Sequence, residues 1–283
     1  MRLASVSDLH VDHPENRALL PRLVARIHEG GADVVLVVGD VSHRDHHIAR
    51  TLEAFRLGVG TVVFVPGNHE LFEPGRRPDA WPRYRWTLRR LTEEAGAHYL
   101  PAGPLKLGGV AVCGTCGWYD HSFLAPRFRD QIDAAALREK AWGGMVWSDA
   151  KYVAFRDPEG RPQDDAQVAR RMEADLEAQL KEAGSWSDVR AVVVATHHLA
   201  YEAAVHRTGT LPWEFFNAFM GSRRLGSIIS AAPKVRTAVF GHTHRPSDQI
   251  VDGIRVVGAP LGYPRERRED DDIAHTRVHW MEF

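Results

Sequence analysis

The stretch VVLVVGD, Val34–Asp40, decides the fold. Val34 to Val38 are consecutive aliphatic residues without polar alternation, the pattern of a strand covered on both faces inside an α/β sheet. Gly39 then lets the backbone turn, and Asp40 stands just past the carboxyl end of the strand. The same rhythm continues on either side. Leu3 to Val6 and Thr61 to Val65 are further short apolar runs, and helical patterns near Asn16 to Glu29 and His46 to Arg56 separate the three. PLKLGGVAVCGT and IVDGIRVVG read as hairpins turning on Gly108-Gly109 and Asp252-Gly253. VRAVVVATHH and KVRTAVFGHTH are two more strands, the first preceded by a long exposed helix from Asp164 to Ala183. Strands alternating with helices, with hairpins added, predict an α/β protein with a parallel centre and antiparallel edges.

At 283 residues the chain can bury a large core, and it is read as one domain over 1–283. The rhythm breaks from about 118 to 157, where Trp118, Tyr119, Trp142, Trp147, Tyr152 and Phe155 lie among glycines and charges. That segment is either a small satellite core or a lid over a site. A net charge of −1 gives no global attraction to nucleic acid or to an anionic membrane. MRLASVSDLH turns polar too early for a signal peptide, and no apolar run approaches the ~20 residues of a membrane span. The expectation is a soluble, cytoplasmic protein. Cys113 and Cys116 fall at the end of a strand and read as small core residues more readily than as a redox pair.

Five strands end in metal-ligand types: Asp8 and His10 in SDLH, Asp40 in VVGD, Asn68 and His69 in PGNHE, His197 in ATHH, and His242 and His244 in GHTH. Residues beyond the carboxyl ends of neighbouring strands converge on one crevice. Alternate residues on an extended segment point the same way, so Asp8-x-His10 and His242-x-His244 can each grip one cation. Any one ending could be an ordinary turn. Five endings offering oxygen or imidazole, and never thiolate, point to a metal centre. Asp40 is the best-placed bridge, since one carboxylate can serve two cations. Imidazoles mixed with carboxylate and amide oxygens suit Mn²⁺, Fe²⁺/Fe³⁺ or Zn²⁺.

The ordered set Asp8-x-His10, Gly39-Asp40, Gly67-Asn68-His69-Glu70, His197 and Gly241-His242-x-His244 resembles the calcineurin-like metallophosphoesterases, over residues 4 to 244. The resemblance implies two mixed sheets packed face to face between helices, and a dinuclear phosphoester hydrolase. It implies that Asp8, His10 and His244 hold one metal with Asp40, and that Asn68, His197 and His242 hold the other, again with Asp40. Two cations roughly 3.5–4 Å apart would lower the pKa of a shared water and stabilise in-line displacement at phosphorus, so no protein nucleophile is needed.

His69 follows a ligand and is assigned to proton donation or to stabilising phosphoryl charge. Glu70 either orients His69 or anchors its loop. Arg44 matches the arginine of the G-D-x-x-D-R motif in the phosphoprotein phosphatase branch, although His43 departs from it. Arg44 is a candidate phosphate clamp or a surface arginine at a helix start. His198 is a candidate second-layer or substrate contact, and His46 and His47 read as helix surface. The run Arg76 to Arg90, RRPDAWPRYRWTLRR, holds six arginines with Trp81, Tyr84 and Trp86. It reads either as a helix with its aromatics packed inward or as a grip on nucleic acid. RERREDDD, Arg265 to Asp272, reads as a solvated loop. A small-molecule or nucleotide phosphoester is the expected substrate. A nuclease and a non-catalytic scaffold are the alternatives.

Overall fold

The computed structural model describes residues 1–73, 75, 77–267, 272 and 277–283. The amino-terminal half runs β1 (Arg2–Val6), α1 (Pro14–Glu29), β2 (Val34–Val38), α2 (Asp45–Val59) and β3 (Thr61–Val65). It continues through α3 (Ala80–Pro82), a π-helical turn (Arg83–Thr87), α4 (Leu88–Glu94) and β4 (His98–Tyr99). Then come β5 (Leu105–Leu107), β6 (Val110–Thr115), α5 (Ala134–Glu139), the small hairpin β7 (Ala141–Trp142) and β8 (Met145–Val146), and α6 (Asp149–Tyr152). The remainder is α7 (Asp165–Ser185), β9 (Ala191–Thr196), α8 (Leu211–Asn217), α9 (Arg223–Ala231), β10 (Val235–Phe240), β11 (Ser247–Val251), β12 (Ile254–Gly258) and β13 (His279–Glu282).

These strands form two main sheets, ordered β13-β1-β2-β3-β4 and β11-β12-β10-β9-β6-β5. Strands β1 to β4 pair in parallel and β13 closes one edge antiparallel. In the second sheet β6, β9, β10 and β12 are parallel, and β5 and β11 are the antiparallel arms of hairpins. Both predicted hairpin turns lie where expected, between β5 and β6 and between β11 and β12.

Period-two alternation explains the layering. Leu36, Val38, Val63 and Val65 of one sheet face Val112, Val193, Ala195 and Val239 of the other across an apolar interface. The opposite face of the first sheet, including Val35, Val37 and Phe64, packs on Leu23, Ile27, Leu52 and Phe55 of α1 and α2. The outer face of the second, including Cys113, Val194 and Phe240, packs on Leu176 and Leu180 of α7 and Ile229 of α9. The result is a helix–sheet–sheet–helix sandwich. Helix α7 is therefore not the exposed helix its charged residues suggested. Val168, Met172, Leu176, Leu180 and Ala183 form a buried stripe on it. Cys113 and Cys116 are buried free thiols, in keeping with a packing role. No helix among the described residues is long and apolar enough to cross a membrane.

Within 118–157, Trp118 and Tyr119 are fully buried, and Trp118, Tyr119 and Phe155 join the same core as Trp81, Phe215 and Phe219. Most of the aromatics in this segment are core. Trp147 and Val146 instead border the crevice at the carboxyl ends of the strands.

Candidate metal centre

Parallel strands deliver the ligand-type residues to one edge. The loops after β1 and β2 are stitched by hydrogen bonds from Asp8 N to Gly39 O at 3.0 Å and from His10 N to Asp40 O at 2.9 Å. The loop after β10 joins the one after β9 through Gly241 N to His197 O at 3.1 Å. Five ligand positions, Asp8, His10, Asp40, His242 and His244, have φ between 41° and 73°. Left-handed backbone costs a non-glycine residue about 1–3 kcal/mol and survives where surrounding structure holds it, typically at a functional site.

Two clusters result. Ligand atoms of Asp8, His10, Asp40 and His244 lie within 4.8 Å of one another, and so do those of Asp40, His197 and His242. Asp40 belongs to both. Its Oδ1 is 3.3 Å from His197 Nε2, and its Oδ2 is 3.8 Å from both His10 Nε2 and His69 Nε2. His10 Nε2 and His244 Nε2 face each other at 2.9 Å, and His242 Nδ1 is 3.2 Å from His197 Nε2. Among the described residues, Asp8 Oδ2 and Asn68 Oδ1 are buried oxygens with no hydrogen-bond partner. An unpaired buried acceptor is costly, and a cation is one group that would satisfy both atoms. The donor set fits a pair of cations.

Hydrogen bonds behind the ligands select the nitrogen each imidazole presents. His197 Nδ1 meets Val38 O at 3.1 Å, His242 Nε2 meets Phe219 O at 3.2 Å, and His244 Nδ1 meets Glu266 Oε2 at 2.7 Å. Tyr263 stacks on His10 at 4.4 Å. Burial, aided by neighbouring imidazoles, pushes His10 and His242 well below the ordinary imidazole value, which leaves a lone pair for a metal. Burial alone would raise Asp40, but His197 and His69 outweigh it and hold the carboxyl well below the usual range. His197 is opposed by burial yet pushed up to about 9, chiefly by Asp40. Metal binding must therefore displace protons from the centre.

The glycines before the ligands act differently from one another. Gly39, with φ of 75°, needs the left-handed conformation. Gly67 is absent from the positive-φ residues, and its role is close approach: a Cβ there would run into Asp40 Oδ1 and come within 2.8 Å of His197 Cε1.

Other expected roles change. Glu70 is fully buried and its carboxylate accepts four backbone N–H groups, from Asp40 (2.8 Å), Val41 (2.7 Å), Ser42 (2.9 Å) and Gly67 (2.6 Å). It clamps the loops after β2 and β3 together, which is the anchoring alternative of the two expected for it. Burial and the Asp40 charge push its carboxyl up to about 7, against the four donors that favour ionisation. His69 borders the crevice and stacks on Phe72 at 4.4 Å. Arg44 is not among the residues bordering the crevice. Its Nε lies 3.4 Å from His43 Nε2 and 3.8 Å from Asp12 Oδ1, an arrangement that matches the helix-start alternative. His198 is fully buried beside His242, with ring centroids 4.3 Å apart, so it lies behind a candidate ligand and away from the open crevice. His47 is half-buried, with Nδ1 3.2 Å from Asp12 Oδ1.

The arginine run is largely committed elsewhere: Arg83 to Asp45, Arg85 to Asp175, Arg89 to Glu93 and Arg90 to Glu94. Trp81 and Tyr84 pack inward and Trp86 is exposed. Arg76 lies outside the described residues, as do residues 268–271 of RERREDDD. The start of that stretch is not merely solvated, because Glu266 holds His244.

The crevice encloses about 310 Å³. Asp40, Asn68, His69, His242 and His244 form its floor; Val146, Trp147, Trp213, Phe216 and Met220 form an apolar wall; Tyr263, Arg265 and Glu266 close one side. Two residues of this site carried no sequence signal. Glu266 sits in a charge run, and Asp149, which accepts from Asn68 Nδ2 at 2.8 Å, lies 81 positions from its partner.

The profile of the Metallophos family, the calcineurin-like phosphoesterases, matches residues 1–246. The chain is 27% identical over 272 residues to the acyl-carrier-protein phosphodiesterase PptH of Mycobacterium tuberculosis, covering 94% of this chain and 79% of that protein. Its fold matches the crystal structure of phosphopantetheinyl hydrolase (PptH) from Mycobacterium tuberculosis with a TM-score of 0.77 at 24% identity, covering 99% of this chain and 95% of the other. A dimetal phosphatase from Danio rerio superposes with a TM-score of 0.52 at 13% identity, covering 91% of this chain and 86% of that one.

Proposed function

The chain belongs to the calcineurin-like phosphoesterases, and from that premise we propose that it is a dinuclear phosphodiesterase whose substrate carries a phosphopantetheine-type arm. The observation that carries the reading is the meeting of two ligand clusters on Asp40, with Asn68 lining the same crevice and Asp8 Oδ2 and Asn68 Oδ1 buried without a hydrogen-bond partner. Asp8, His10, His244 and Asp40 hold one cation, and Asn68, His197, His242 and Asp40 the other. The mixture of imidazole and oxygen donors suits Mn²⁺, Fe²⁺/Fe³⁺ or Zn²⁺. Bound there, such ions supply Lewis acidity toward phosphoryl oxygens and lower the pKa of water.

The chain's own residues do the rest. His69 reaches the crevice from beside Asp40 and donates a proton to the leaving oxygen, a role worth about 10²–10⁴-fold. Arg265 borders the crevice with its guanidinium 5.4 Å from the Tyr263 ring and takes the phosphate-facing role expected of Arg44. Val146, Trp147, Trp213, Phe216 and Met220 exclude water and offer a flank for an extended organic arm. A diester needs room on both sides of phosphorus, and this wall provides one side.

The similarity to the acyl-carrier-protein phosphodiesterase of Mycobacterium tuberculosis favours a carrier-protein diester as substrate. Metal-loaded protein is to be assayed on para-nitrophenyl phosphate, bis-para-nitrophenyl phosphate and a phosphopantetheinylated carrier protein. The expected result is turnover of both diesters ahead of the monoester, with phosphopantetheine released from the carrier. Turnover of the monoester alone overturns the reading.

A further inference from the structure

Asn68 is the one amide among the ligand positions, and an amide ligates a cation only through oxygen. Its orientation must therefore be fixed by whatever touches its nitrogen. That group is Asp149, fully buried and placed at the start of α6. Asp149 Oδ1 accepts from Asn68 Nδ2 at 2.8 Å. Asp149 Oδ2 accepts from Tyr119 Oη at 2.9 Å and from Trp147 Nε1 at 2.9 Å. With the Asn68 nitrogen held this way, its Oδ1 is left buried and partnerless, on a residue that lines the crevice with Asp40.

Trp147 extends the connection to the crevice wall. Its ring stacks on Phe219 at 5.5 Å with 10° between planes, and meets the ligand His242 edge-on at 5.6 Å. Both Asn68 and His242 are thus braced from the 118–157 segment and from Phe219, just past α8, whereas His10 and His244 are braced by Tyr263 and Glu266.

We infer that Asp149 is a positioning residue that turns the Asn68 oxygen toward the Asp40–His197–His242 half-site and couples that half-site to Trp147 in the crevice wall. The inference rests on the dinuclear reading above. It makes the aromatic segment part of the second metal site. Only an acceptor on both faces can receive Asn68 on one side and the Tyr119–Trp147 pair on the other, and a carboxylate is the side chain of that size which does so.

The test is Asp149→Asn, which keeps volume and removes one acceptor face. Two donors, Tyr119 and Trp147, compete for the remaining carbonyl, so the new NH₂ faces Asn68. Asn68 then turns its own oxygen away from the half-site. Expected, by Mn²⁺ titration calorimetry and metal content per chain, is a 10–100-fold weaker second equivalent with the first unchanged. Asn68→Asp in that background restores the second equivalent, because a carboxylate accepts the new NH₂ with one oxygen and binds metal with the other. Tyr119→Phe, which spares the Asn68 contact, keeps both equivalents. Wild-type affinity for both equivalents in Asp149→Asn overturns the inference, and so does failure of the Asn68→Asp rescue. Wild-type protein that binds no second ion would instead sink the dinuclear reading itself.

Discussion

Glu70 Oε2 accepts the backbone N–H of Asp40 at 2.8 Å, and the same oxygen receives Gly67 N at 2.6 Å. A side chain that sequence alone places beside a catalytic histidine is the clamp that sets the distance between two ligand loops. Glu70→Gln puts an NH₂ against two buried N–H donors. At about 1–3 kcal/mol for each donor left without an acceptor, the loss is about 2–6 kcal/mol. Denaturant unfolding checks it, with the midpoint falling and the metal lost more readily. An unchanged midpoint with reduced kcat would return Glu70 to orienting His69.

His69→Ala has a different signature. His69 borders the crevice but lies outside both ligand clusters. The variant should keep two metals and wild-type stability while kcat on a diester falls about 10²–10⁴-fold. A para-nitrophenolate leaving group needs no proton, so the loss on bis-para-nitrophenyl phosphate should be smaller than on an alkyl diester. Equal losses on both substrates would assign His69 to stabilising phosphoryl charge and not to acid catalysis.

Gly67→Ala tests close approach. The added Cβ runs into Asp40 Oδ1, and the neighbouring atoms are the Asp40 backbone N at 2.7 Å and the His197 ring, so nothing nearby is free to yield. The expected outcome is loss of both metals, since Asp40 belongs to both clusters, with the fold retained by circular dichroism. Full metal content in this variant would mean that the loops have more slack than these contacts allow.

The fold and the clustering of candidate ligands were legible because both are written in short local patterns. Val34 to Val38 announces a doubly covered strand, and Asp40 follows it directly. The rest depends on contacts distant in sequence. Asp149 acts on Asn68, Glu266 on His244 across 22 positions, and Arg83 on Asp45 across 38. No spacing rule marks such pairs. The buried face of α7 stood at helical spacing in Val168, Met172, Leu176 and Leu180, but charge on the remaining faces outweighed it. Arg44 shows the converse: it lies close to Asp40 in sequence, while the chain turns into α2 and carries its side chain to Asp12.

The crevice wall bears on selectivity. Trp213 is 38% exposed and Val146 44%, yet both border the crevice, as a surface awaiting an organic arm would. Trp213→Ala should raise KM for a phosphopantetheinyl diester about tenfold, the value of roughly 1.4 kcal/mol of lost contact, and leave the metal content and kcat on bis-para-nitrophenyl phosphate unchanged. A uniform fall on every substrate would place Trp213 in folding and not in recognition.

Asp165 gives a pH dependence remote from the metal centre. Its carboxylate accepts from Lys140 Nζ at 2.6 Å and Trp118 Nε1 at 3.0 Å, with His121 Nε2 at 3.3 Å. Burial pushes the carboxyl up, but hydrogen bonding from His121 and the charge of Lys140 outweigh it, so the folded value lies below the ordinary 3.8. The unfolded chain then binds more protons than the folded one in acid, and stability rises with pH through this window. The contribution is complete above the unfolded value and disappears as pH falls through the lower, folded one. Lys140→Met removes the charge partner, raises the folded value, and destabilises the protein at neutral pH. The stability difference between wild type and Lys140→Met should be largest at neutral pH and narrow in acid, first as Asp165 protonates in Lys140→Met and fully only once pH falls through the lower wild-type folded value. Metal release in acid affects both proteins alike and drops out of the difference. A gap that stayed constant down to pH 3 would mean that Lys140 contributes packing of its alkyl stem over Tyr119, 5.4 Å from Nζ, and no charge.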